Sequence, residues 1–250
     1  MANIVDERGF NQIFRPSTAQ AIRLKRRAQA MVEAMTLPEA VEKRQGIHIL
    51  EIGCGMGELA HHLAEITHCR VKGVDLSPQF IEHANATYQH PNLTFAVADL
   101  ATSTPVSAQE QFSYIVGNGI LHHLYNQLDQ VLPRLALWLK PGGRLLFWEP
   151  NLHNPYIRVI FSLAGPRRWA RLEPDEMAFT ARYIRQRLAQ SGYEHISATE
   201  RDFLLPNTPK PLVRPVIALG ALFERLPIVR TTAQSLFISA ERPTKATTLS

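Results

Sequence analysis

Ile47-His48-Ile49-Leu50-Glu51-Ile52-Gly53-Cys54-Gly55-Met56-Gly57-Glu58-Leu59 is the stretch whose reading decides the fold. An apolar run carrying one acid breaks into glycines at alternate positions and then continues with helical spacing. That sequence of events reads as a buried parallel strand, a tight turn and a helix N-terminus. Glycine suits such a turn because the backbone must bend sharply and admit a ligand with no Cβ in the way. A dinucleotide fingerprint, G-x-G-x-x-G, would place its third glycine one position beyond Gly57, where Glu58 stands. Glu51, inside the strand end, is instead placed to receive a cation.

Outward from this turn the pattern repeats. Arg70–Asp75 reads as a second strand ending in an acid, and Asp75 occupies the position where nucleoside-binding α/β folds accept ribose hydroxyls. Ser77-Pro78 opens a helix as cap and first-turn proline. Leu93–Ala98 is a third strand leading into Asp99-Leu100, so Glu51, Asp75 and Asp99 should line the carboxyl edge of one parallel sheet, where open α/β sheets bind ligands. A fourth strand covers Phe112–Asn118, a helix covers Asn126–Leu139, and the turn Lys140-Pro141-Gly142-Gly143-Arg144 feeds a fifth strand, Leu145–Glu149. The expected class is α/β, a doubly wound sheet with helices on both faces.

The E-x-G-x-G-x-G loop, the Leu121-His122-His123 segment after the fourth strand and the Lys140-Pro141-Gly142-Gly143 turn together resemble the class I S-adenosylmethionine-dependent methyltransferases, in their small-molecule group, over residues 47–150. The resemblance implies a seven-stranded, mostly parallel sheet whose last strand, Gln234–Glu241, is antiparallel. It also implies S-adenosylmethionine as cofactor, with Gly53, Cys54, Gly55 and Gly57 around its methionine part and Glu51 at its amino group. Asp75 then takes the ribose, Leu76 flanks the adenine, and Asp99 beside Leu100 takes the adenine amino group; Asn118, ending the fourth strand, joins the cofactor set. Ser113 stands where many members have an acid, near the strand start and away from the cleft.

The chain is expected to form one domain over residues 1–242, with a helical N-terminal lid (1–45), a cofactor core (46–150), cap segments (151–180 and 204–230) and a disordered tail (243–250). Phe10 and Phe14 are lid candidates. Ser17 or Thr18 should cap a helix over Ala19–Met35, with Arg23, Lys25, Arg26 and Arg27 on a solvated face. Thr180 should cap a helix ending before Gly192, and a sixth strand should cover Glu194–Phe203. Pro206, Pro209, Pro211 and Pro215 mark a loop before a short helix, Val216–Leu226. The segments 156–172 and 212–226 set large apolar residues beside arginines, as a cap over a hydrophobic acceptor would.

Two cysteines give no disulfide framework or metal motif, and the start shows no signal peptide, so a cytoplasmic protein is expected. A net charge of +5 favours anionic partners diffusely, and peripheral contact with an anionic membrane is the expected surface interaction. Methyl transfer needs an acceptor held in line, water excluded and a base for a hydroxyl acceptor. His123, His153 and His122 are candidate bases, and Glu149 and Asn151 candidate substrate contacts. His61, His62 and Glu65 read as a surface helix, and no metal-ligand spacing is visible. Asn118-Gly119-Ile120-Leu121 replaces the [DN]-P-P-[YFW] segment of nucleic-acid amino methylation, and no DNA partner is expected. The expected acceptor is therefore a small hydrophobic molecule of lipid, quinone-like or natural-product type. The alternatives are an enzyme acting on RNA or protein through the basic surface, and a non-catalytic cofactor-binding protein.

Overall fold

The computed structural model describes residues 17–100 and 110–244. Phe10, Phe14 and residues 245–250 of the expected tail lie outside this range. Seven strands form one sheet in the order β3-β2-β1-β4-β5-β7-β6. They are β1 (His48–Ile52), β2 (Arg70–Asp75), β3 (Leu93–Val97), β4 (Phe112–Asn118), β5 (Leu139–Pro150), β6 (Glu194–Arg201) and β7 (Ser235–Glu241). Strands β1 to β5 pair in parallel, whereas β7 lies antiparallel between β5 and β6. The expected doubly wound sheet with its antiparallel last strand is what forms. The strand order reverses between β1 and β4, which makes the end of β1 a topological switch point.

Both faces of the sheet are covered, which is why β1 is a continuous apolar run rather than an alternating one. On one face α4 (Leu128–Trp138) and α7 (Ala181–Gln190) pack over Leu50, Ile52, Ile115 and Phe147. On the other, α1 (Thr18–Ala34) and α2 (Glu58–Thr67) cover Ile49, Val71, Val116 and Leu146. The caps read from sequence are present: Ser17 accepts from Gln20 N, Ser77 from Phe80 N at the start of α3 (Pro78–Thr87), and Thr180 from Tyr183 N.

Several expectations are corrected. The turn Lys140–Gly143 falls inside β5: Leu139 pairs with Phe112 and Arg144 with Tyr114, so the intervening residues loop out of the ladder as a bulge. Gly143 is needed there, since a Cβ would come within 2.9–3.1 Å of three backbone carbonyls. The proline-marked loop is mostly helix. In α8 (Lys210–Phe223) Pro211 occupies the first turn, where its missing N–H costs nothing, and Pro215 lies within the helix. Buried Val213 and Gly220 against α1 and Phe203 hold that helix in spite of its prolines. A short helix α9 (Pro227–Arg230) follows.

The described part of the N-terminal region is a core helix, not a lid. Its residues Leu24, Ala28 and Met31 are buried on the sheet, and its first turn packs beside Leu204 and Val213 at the carboxyl edge. Its basic side is not a solvated face either. Arg23 and Arg27, one turn apart, are buried, Arg26 is partly covered and Lys25 alone of the four is exposed.

Candidate active site

Gly53, Gly55 and Gly57 all adopt positive φ, which forms the turn from β1 into α2. They serve different ends. A Cβ on Gly53 would strike the Ile120 side chain at 2.6 Å, and one on Gly57 would strike Phe95 at 2.6 Å. Those two glycines are packing requirements. A Cβ on Gly55 would meet nothing within 4 Å among the described residues, so this residue faces the space a ligand would enter.

Beside it, Glu51 is 2% exposed, and its Oε2 has no hydrogen-bond partner among the described residues. Burial raises its pKa well above the carboxylate range; a bond from the Ala60 backbone opposes this, and the charge of Asp75 adds to it. A buried carboxylate oxygen without a donor is costly and calls for a cationic or N–H ligand. Asp75 Oδ2 accepts from Gly55 N at 2.8 Å and its Oδ1 from Ser77 N at 2.9 Å, so this acid braces the glycine turn. Leu76 is 45% exposed, and Val97, in register with Asp75, is 51% exposed, which gives this edge apolar surface for a flat ring. Asp99 and Leu100 follow β3, half-buried, and Ala98 N donates to Asp75 O at 2.9 Å, tying the two strand ends together. The thiol of Cys54 is pushed up by burial and then by Glu51 and Asp75, an unreactive environment.

The segment after β4 carries the histidines. Ile120, in contact with the Gly53 position, opens a 3-10 turn over Leu121–Gln127. Glu149, at the end of β5 and 1% exposed, accepts from the backbone N–H of Ile120, Leu121 and His122 at 3.0, 2.7 and 3.2 Å. Its Oε2 also meets His122 Nδ1 at 2.8 Å. The expected substrate contact is therefore a structural anchor, with its acceptor capacity taken by the start of the 3-10 turn. Asn151 is likewise committed: it is fully buried and donates to the carbonyls of Thr231 and Ala233 while accepting from His153 N.

His122 is buried, and burial and then His123 lower its pKa in spite of Glu149. His123 is half-buried, with Nδ1 at 2.9 Å from Glu176 Oε1 and its ring 4.1 Å from that of His122. Burial acts to raise the pKa of Glu176, but its bond to His123 and the charges of both histidines outweigh this and lower it. His153 is exposed on the loop after β5. The fold thus brings His122 and His123 together with two carboxylates and leaves His153 outside. In contrast to the expectation of no metal constellation, His122, His123 and Glu176 offer ligand atoms within 4.8 Å of one another, although both imidazoles already face carboxylates. His61 and His62 pair with Glu65 on the surface of α2, as expected.

Glu176 was not anticipated from sequence, nor was the cluster around Asp202. This acid follows β6 and is 5% exposed; it receives Arg23 Nε at 3.2 Å, Arg26 Nη1 at 3.2 Å and Arg27 Nη2 at 3.3 Å. Arg23 also meets Gln234, and Arg27 meets Ser235. Burial, then Arg23, brings the Arg27 pKa down to about 9 in spite of Asp202. Arg27 Nη1 also donates to Asn118 Oδ1 at 2.6 Å, which links this buried charge cluster to the end of β4 at the ligand edge. The available signal was positional: Asp202, like Glu51, Asp75, Asp99 and Glu149, is an acid at or just past a strand end.

Residues 49–143 match the family model described as a methyltransferase domain. The chain is 37% identical over 123 residues to trans-aconitate 2-methyltransferase of Methylobacterium radiotolerans, covering 48% of this chain and 45% of that protein. It is 26% identical over 232 residues to malonyl-[acyl-carrier protein] O-methyltransferase of a Paenibacillus species, covering 84% of this chain and 77% of that one. The chain spans about half the length of the trans-aconitate relatives it matches. In fold it is similar to a SAM dependent methyltransferase from Archaeoglobus fulgidus, at a TM-score of 0.62 and 16% identity, over 93% of this chain and 97% of that one.

Proposed function

We infer that this chain, which carries a class I methyltransferase domain, transfers a methyl group from S-adenosylmethionine to a small hydrophobic molecule. The observation that carries the reading is the buried, partnerless Glu51 Oε2 beside the open position at Gly55. A carboxylate there suits the cofactor's ammonium, and a backbone with no Cβ suits its close approach. Asp75 would hold the ribose, Asp99 the adenine amino group, and Leu76 and Leu100 the ring faces. When bound, the cofactor supplies a sulfonium methyl group, so the chain's own work is positioning and proton removal.

His123 is the base in this scheme. Glu176 Oε1 lies 2.9 Å from its Nδ1, where a carboxylate would orient a catalytic imidazole for removing a proton from an acceptor hydroxyl. Glu176 is a positioning residue. The cap segment supports an apolar acceptor: Ile157, Phe161 and Ala178 form a buried cluster, and Phe161 sits edge-on to His122 with ring centroids 5.9 Å apart.

The test is methyl transfer from labelled cofactor into a fractionated cell extract. Label in the organic-soluble fraction is the expected result. Label in RNA or protein would favour action through the basic surface instead, and no label from a folded, cofactor-binding protein would favour the non-catalytic reading. Chelator should leave the rate unchanged; loss of activity restored by a divalent ion would make His122, His123 and Glu176 ligands rather than a base pair.

A further inference from the structure

Two segments that emerge from the carboxyl edge of the sheet are rich in basic residues and nearly free of acids. Residues 151–172 contain Arg158, Arg167, Arg168 and Arg171 and no acid. Residues 203–232 contain Lys210, Arg214, Arg225 and Arg230, with Glu224 as their single acid. Together they hold more positive charge than the net +5 of the whole chain, so the remainder is net acidic. Glu224 is turned inward, accepting from Asp202 N at 2.8 Å. Arg167 is also spent internally, donating to the carbonyls of Phe161, Glu173, Pro174 and Glu176. Arg158, Arg168, Arg171, Lys210, Arg214 and Arg225 are exposed.

The helices of these segments are apolar on two sides. In α5 (Pro155–Ser162) Ile157 and Phe161 are buried, while Tyr156, Val159 and the following Leu163 are exposed at helical spacing. In α8 Val213 and Gly220 face the fold, while Leu212, Leu219 and Leu222 form an outer row. Trp169, at the end of α6 (Ala164–Trp169), is 68% exposed, and Ile228 of α9 is 86% exposed. The two segments adjoin. Asn154, which caps α5, donates to Thr232 O just beyond α9, and Asn151 donates to Thr231 O.

We propose that α5–α6 and α8–α9 form one docking surface for an anionic lipid bilayer. No helix among the described residues is long and apolar enough to cross a membrane; these lie in its interface, with apolar rows in the acyl boundary and arginines among the headgroups. A second copy of the chain fits poorly as the occupant, because a two-fold contact would set the same arginines against each other. The inference deepens the methyl-transfer reading, since a membrane-dissolved acceptor would enter at this edge, but its test needs no cofactor.

The experiment is co-sedimentation of the full chain with phosphatidylcholine vesicles, with and without phosphatidylglycerol. Tryptophan emission is read alongside. Of the three tryptophans Trp138 and Trp148 are buried, so a blue shift reports Trp169. Pelleting and a blue shift with anionic vesicles only, both reversed by salt, are expected. Arg168→Glu with Arg171→Glu should weaken binding by about tenfold or more. Leu222→Ser with Ile228→Ser, which keeps the charge, should weaken it by a similar factor of about ten. No pelleting, equal binding to neutral vesicles, indifference to both variant pairs, or a dimer that buries Trp169 would each overturn the proposal.

Discussion

Asp202→Ala is expected to destabilise the fold by about 3–5 kcal/mol, read as a shift of the urea midpoint at unchanged slope. Asp202 is the shared anion for Arg23, Arg26 and Arg27, and the first and last of these are buried. Removing it takes from two buried guanidinium groups the anion they share. The same reasoning fixes a pH dependence. Burial works to raise the pKa of Asp202, but Arg27, Arg23 and Arg26 outweigh it and hold the pKa below the ordinary value. Its stabilisation is therefore complete above the unfolded value of about 3.9 and is lost as pH falls through the lower folded value. A loss of less than about 1 kcal/mol in Asp202→Ala, the size of a surface ion pair, would show that α1 does not depend on this anchor.

The second large effect is catalytic. His123→Ala should lower kcat by about 10²–10⁴ with cofactor affinity unchanged, because the side chain acts on the acceptor's proton and not on the cofactor. Glu176→Gln should cost less and should also move the pH profile of kcat/KM, which a purely structural residue would not do. His153→Ala should be silent, since His153 sits exposed on the loop after β5. A His123→Ala enzyme as fast as the parent would remove the base from the scheme.

The sequence carried most of the fold because its signals were local. Glu51 at a strand end, glycines at alternate positions, Ser77-Pro78 and Thr180 each act within a few residues, and each element formed where its pattern predicted. The cofactor edge was legible for the same reason, as it is built from strand ends. What sequence could not convey were pairings at long range. Arg23 and Arg27 look like a solvated stripe until Asp202, some 179 and 175 positions away, is folded against them. Glu149 and Asn151 look like free polar groups at a ligand edge until the backbones of 120–122 and 231–233 take up their hydrogen bonds. The approach of Glu176 to His123 likewise depends on the excursion through α5 and α6, which no local pattern announces. The prolines of α8 misled in the other direction, since packing on α1 outweighed the local preference for a loop.

The central claim is that the Glu51–Gly57 turn binds S-adenosylmethionine, and calorimetric titration of the cofactor in buffers of different ionisation enthalpy tests it most directly. Binding at one site per chain is predicted, with proton release where the pH lies below the burial-raised pKa of Glu51, because a cationic partner favours its charged form. Gly55→Ala, whose new Cβ meets no atom of the described residues within 4 Å, should remain folded and lose most of the affinity. Absence of binding by the folded parent chain, or undiminished binding by a folded Gly55→Ala variant, would contradict the account.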